Sequence, residues 1–137
     1  MDLQLKQAIR RLTGETTCVL LREDKIYESR ERGVRPLLDL LDSGAATAGG
    51  VAADRVVGRG AAFLYCLMGI RSLYAGVVSR AAMEVLEAAG ITVTYGVLTD
   101  RIQNRTKDGL CPIESATMDC RTPEQALRTI RDTLSRL

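Results

Sequence analysis

The chain has 137 residues, of which 46% are hydrophobic and 26% charged, and it carries a net charge of +2. This length fits one domain, and this composition describes a folded globular chain, which excludes a disordered one. So small a charge without a Lys/Arg run speaks against a nucleic-acid polymer as partner, and the longest apolar run, 61–70, is too short to cross a bilayer.

In chain order, Asp2 to Thr13 places Leu3, Leu5, Ile9 and Leu12 at roughly helical spacing, with Gly14 set to end the helix. The segment is charged and has no apolar leader core, so the expectation is a cytoplasmic protein. Thr16 to Arg22 is β-branched and apolar, and Lys25 to Ser29 alternates apolar with polar across the Glu23-Asp24 turn. These are two strands of a hairpin, the second nearer a sheet edge. Pro36 opens a short helix over Leu37–Asp42 that Gly44 stops, and 45–50 is a glycine-rich loop. Asp54 is read as the N-cap of a helix over Arg55–Met68, with Gly69 as its stop. Gly58 and Gly60 fall early in that helix, each costing roughly 1 kcal/mol against Ala, so something must approach the backbone closely there.

Ser72 to Val78 reads as a buried strand, Ser79 as the cap of a helix over Arg80–Ala89, and Ile91 to Leu98 as the next strand. Strand, helix and strand at this spacing make a parallel pair with a right-handed crossover. Thr99 to Arg121 is long and polar, holding the Asp108-Gly109 turn and a helix start at Cys111-Pro112. Thr122-Pro123-Glu124-Gln125 opens a last helix to about Arg136 that buries Ala126, Leu127, Ile130 and Leu134. The order predicts one α/β domain over 1–137, a three-layer α-β-α arrangement around a mixed sheet of four to five strands.

Three stretches carry a resemblance: Asp54-Arg55-Val56-Val57-Gly58-Arg59-Gly60-Ala61-Ala62, Ser79-Arg80-Ala81-Ala82, and Asn104-Arg105 through Asp108-Gly109-Leu110-Cys111-Pro112-Ile113-Glu114. They resemble a deaminase-like family of bacterial and archaeal proteins classed as a domain of unknown function. The resemblance implies a cytidine-deaminase-like fold, in which two helices flanking the third strand aim their N-termini at one site. It supplies no reaction. Zinc deaminases hold their metal with His or Cys at one helix start and P-C-x-x-C at the next, and use a Glu as proton shuttle. This chain has no histidine, and neither helix start offers a thiolate, so no metal and no cofactor are expected. The same lack excludes His-based acid–base catalysis and a Ser-His-Asp triad.

The candidate ligand-binding residues are Asp54, Gly58, Arg59, Ser79, Asn104 and Arg105. Asp54 and Ser79 are first of all caps, but two helix starts on one cleft can hold an anion. Arg59 and Arg105 would add charge-assisted contacts, or else are solvated surface charges. Gly58 and Gly60 admit a ligand or let helix and sheet pack closely. Asn104 caps a strand end or presents its amide to a base-like ligand. Cys111 and Glu114 are the candidate catalytic residues. A thiol at a helix N-terminus can become a nucleophile, though a packing role is commoner. Glu114 could close a capping box on the Cys111 N–H, or bind Arg105 or a ligand amine. None of the four cysteines sits in a C-x-x-C pair, so free thiols are expected, with Cys18 and Cys66 buried as small hydrophobes. The first reading is therefore a module that binds a small anionic, nucleotide-like ligand. The alternatives are a structural protein forming homodimers and a metal-independent enzyme using Cys111.

Overall fold

The computed structural model describes residues 2–102 and 111–137. Helix α1 (Leu3–Arg11) starts at Asp2, whose Oδ1 accepts the Gln4 and Leu5 N–H groups. Strands β1 (Cys18–Arg22) and β2 (Lys25–Ser29) form the hairpin. Helix α2 (Arg35–Ser43) has Pro36 in its first turn and ends at Gly44, whose φ of 72° is the left-handed conformation that favours glycine.

The next element departs from the sequence reading. The residues 51–57 form strand β3 (Val51–Val57), and helix α3 (Arg59–Met68) begins only after Gly58. Asp54 therefore caps no helix and lies inside β3, because the β-branched and apolar residues around it bury themselves in the sheet. Strand β4 (Ser72–Ser79), helix α4 (Arg80–Ala88) and strand β5 (Thr92–Thr99) follow as expected. Helix α5 (Pro112–Thr117) and helix α6 (Pro123–Ser135) close the chain, α6 on its Thr122 cap.

The sheet has five strands in the order β2-β1-β3-β4-β5. Its hairpin end is antiparallel, and β3, β4 and β5 are parallel. Helix α1 covers one face, packing Leu5 and Ala8 on Val19, Leu21, Val51 and Ala53. The other face carries the main core, where Leu20, Ala52, Leu73 and Ala75 meet Leu64 and Tyr65 of α3 and Leu86 of α4. Helices α5 and α6 pack against α3. No helix among the described residues is long and apolar enough to span a membrane.

The parallel strands share one local kink. In a regular strand, alternate residues face one side. Here Ala75 and Val78, three residues apart, both join the main core, and so do Ala52 and Val57 on β3. The change of face falls on the row Arg55, Gly76 and Gly96, which sit between the paired positions 54–75–95 and 56–77–97. A Cβ on Gly76 would lie 2.7 Å from the Arg55 carbonyl oxygen, and one on Gly96 would lie 2.9 Å from that of Gly76. Backbone cannot yield as a side-chain tip does, so Gly76→Ala is expected to cost about 2–4 kcal/mol in urea unfolding. A loss below about 0.5 kcal/mol would mean that the row is free to shift. The kink also turns Val56, Val77 and Val97 away from the helix layer. Arg55 reaches back to the end of α1, donating to the carbonyls of Thr16 (2.7 Å) and Gly14 (2.9 Å).

Candidate functional site

Strands β3 and β4 are adjacent and parallel, so the helices that follow them leave the sheet side by side. Helix α4 begins at Ser79, a buried residue whose Oγ accepts the Ala82 N–H at 3.1 Å. That satisfies one of the four N–H groups that open a helix. Helix α3 begins at Gly58, which has no side chain to cap with and lies in extended backbone.

Glu114 supplies the missing cap from a distant part of the chain. The Arg59 N–H donates to Glu114 Oε2 at 2.6 Å, across 55 residues of sequence. The carboxylate is only 3% exposed. A buried charge needs a partner, and the positive end of a ten-residue helix provides one. Glu114 thus does not close a box on Cys111. The Cys111 N–H donates instead to the Ile102 carbonyl at 3.0 Å.

The two early glycines admit α5. A Cβ on Gly58 would overlap Glu114 Oε2, and one on Gly60 would come within 2.6 Å of Ile113 Cγ2. Arg59 completes the clasp. Its Nε donates to the Thr117 carbonyl (3.0 Å) and its Nη2 to that of Cys120 (2.7 Å), with the guanidinium 5.0 Å from the Phe63 ring centre. These two bonds serve the carbonyl that ends α5 and one just beyond it, so Arg59 is held against that segment and is not simply a solvated charge. Cys111 sits at the N-cap of α5, half-buried, and packs against the main core. Asn104 and Arg105, with the Asp108-Gly109 turn, lie outside the described residues.

Arg80, at the first position of α4, pairs with Asp100 just beyond β5 at 2.7 Å, both side chains well exposed. The sequence reading passed over this arginine, although its place directly after a cap residue was the available signal.

Asp54 belongs to a different cluster, inside the helix-covered side of the sheet. The Tyr65 hydroxyl donates to Asp54 Oδ2 at 2.7 Å, and Cys18 Sγ lies 3.3 Å from the same hydroxyl. When the Tyr65 proton serves Asp54, the thiol can donate to the phenol oxygen. Burial pushes the Asp54 carboxyl up to about 7, against the pull of the Tyr65 hydrogen bond. Burial likewise raises the Tyr65 phenol, and the Cys18 thiol is raised by burial and then by the Asp54 charge. The thiol is thus held protonated and unreactive. Cys18 and Leu20 also line a groove of about 660 Å³ between the β1–β2 hairpin and α2, with Tyr27, Pro36, Asp39 and Leu40. Of the residues that open α3 and α4, neither Gly58 and Arg59 nor Ser79 and Arg80 line that groove.

Mixed sheet, covered faces and paired helix starts place the chain among α/β proteins whose parallel strands lead into helices at one edge. The chain belongs to the TM1506 family, described as a domain of unknown function (DUF1893), whose model matches residues 7–134. It is similar in structure to a DUF1893 family protein (TM1506) from Thermotoga maritima, with a TM-score of 0.86 at 22% identity, over 100% of this chain and 92% of that one. At that identity the likeness is one of fold. No curated protein matches the chain.

Proposed function

We propose that the protein is a small-ligand binding module on a cytidine-deaminase-like scaffold, holding an anionic, nucleotide-class ligand where α3 and α4 leave the sheet. The observation that carries this reading is the pair of helix starts at adjacent parallel strand ends, one of them already seating a carboxylate. Such ends attract negative charge through free N–H groups and the helix dipole. With Glu114 seated on α3, the ligand anion falls to the start of α4, beside Ser79.

One helix start supplies only about 0.3–1 kcal/mol, or ~2 when partly buried, against roughly 8 kcal/mol for micromolar binding. A cation must add to it. Arg59 is committed to α5, whereas Arg80 is held by an exposed pair worth about 0–1 kcal/mol and can exchange Asp100 for a ligand phosphate. Arg105 remains a second donor expected from the sequence. Zinc chemistry does not fit these residues, since the helix starts present Gly58-Arg59-Gly60 and Ser79-Arg80-Ala81, with neither thiolate nor imidazole.

A thermal-shift series with nucleoside monophosphates and inorganic phosphate tests the reading. At least one of them is expected to raise the melting temperature of the wild-type chain. Arg80→Ala is expected to weaken that ligand roughly tenfold to a hundredfold while barely moving the unliganded transition. Glu114→Gln removes a competing negative charge and is expected to strengthen it. No shift with any compound, or a shift indifferent to Arg80→Ala, sinks the proposal.

A further inference from the structure

The two edges of the sheet are built differently. Strand β2 is five residues long and carries Lys25 and Glu28, the latter tied to Arg11 of α1. Strand β5 runs eight residues, Thr-Val-Thr-Tyr-Gly-Val-Leu-Thr, without a charged side chain or a proline. Its inner rim pairs with β4, and its outer rim pairs with no strand among the described residues. Proteins guard such edges with charge, proline, short length or a covering element. Among the described residues, the β2 edge shows two of these devices and the β5 edge shows none. The kink at Gly96 runs on from β4 in unbroken register, so the edge follows its sheet and does not twist away from it.

Large apolar side chains stand exposed along the same edge. Tyr95 is 43% and Val97 55% exposed. On the part of the sheet face that α1 does not reach, Val97 continues the row of Val77 and Val56.

We propose that β5 pairs antiparallel with β5 of a second copy of the chain, joining two five-stranded sheets into one across a twofold axis. Such an axis sets every residue of the strand opposite a residue of the same strand. A strand bearing one sign of charge near its centre would meet like charge there. β5 meets none, and its outer N–H and C=O groups find partners of equal number and spacing. The pairing also gives Tyr95 and Val97 cross-strand neighbours. The inference is independent of the ligand site.

Sedimentation equilibrium on the full chain tests it, together with amide hydrogen exchange. The wild type is expected to be a dimer at micromolar concentration, with the outward amides of β5 protected. Val97→Lys sets lysines near each other across the axis and is expected to weaken the dimer about 100-fold and to release those amides. Val56→Lys, on the same face but two strands from the edge, is expected to leave the dimer intact. Should Val97→Lys fail to fold, Thr94→Lys on the same strand takes its place, and the exchange of wild-type β5 amides decides independently. A wild type that is monomeric throughout with unprotected outer β5 amides overturns the proposal, as does a dimer that tolerates both edge lysines.

Discussion

The protein is expected to lose stability as the pH rises from about 4 to about 7, by up to about 4 kcal/mol, and to stop doing so once Asp54 is replaced by Asn. Burial lifts the Asp54 carboxyl from its ordinary 3.8 to about 7. Between those values the folded chain keeps a proton that the unfolded chain has released. The contribution is whole below the lower value and disappears as the pH passes the upper one. The 8% of Asp54 that remains exposed makes the figure an upper one. Asp2 and Asp42 act in the opposite sense, since Arg71 and Arg131 hold their carboxyls below 3.8, and their exposed pairs weaken only as the pH falls through that lower range. Between about pH 4 and 7, Asp54 is therefore the group expected to set the slope.

Chemical denaturation at a series of pH values, on wild type, Asp54→Asn and Tyr65→Phe, measures this. Asp54→Asn keeps an oxygen for the Tyr65 hydroxyl and removes the titration, so its stability should stay level from about 4 to about 7. Tyr65→Phe deletes the hydrogen bond that holds the carboxyl down, so the midpoint of the loss should move up in pH. It also leaves a buried acid with one partner fewer, at a cost of about 1–3 kcal/mol. An Asn variant that keeps the wild-type slope would place the titrating group elsewhere.

This cluster shows where local reading stops. The periodic segments were plain from the sequence: α1, the hairpin, the β4–α4–β5 unit and α6 each carry a regular apolar spacing and a cap or stop residue. β3 was not, because Val51-Ala52-Ala53 is a short apolar run and Asp54-Arg55 follows it as a cap and first turn would. Such runs are ambiguous between strand and helix. Gly58, which the sequence places early in a helix as a point of close backbone approach, is the boundary between the two elements. An aspartate among alanines and valines, and a tyrosine in an apolar helix, each signalled a need for a buried partner. Nothing local named which partner. The seat of Glu114 was hidden for the same reason, since its hydrogen bond spans 55 positions and depends on where α5 folds back. At the start of α3 the group that meets the helix end is the chain's own carboxylate.

That seat carries the second large effect. Gly58→Ala is expected to destabilise the protein by about 3 kcal/mol, far more than the ~1 kcal/mol that alanine costs against glycine at an N-cap. The new Cβ would stand where Glu114 Oε2 stands, with Ile102 Cγ1 only 3.3 Å away, so the carboxylate must leave the Arg59 N–H. A charge-assisted hydrogen bond of about 1.5–3 kcal/mol goes with it, and the first turn of α3 loses its counter-charge. Glu114→Ala removes the same bond from the other side and should cost about as much. Because both changes break one interaction, the double variant should fall short of the sum by about 2 kcal/mol in urea unfolding. Strict additivity would mean that the cost at Gly58 arises from the backbone alone. It would also mean that Glu114 keeps its seat on the Arg59 N–H when residue 58 carries a Cβ, so that the carboxylate and the new methyl find room side by side.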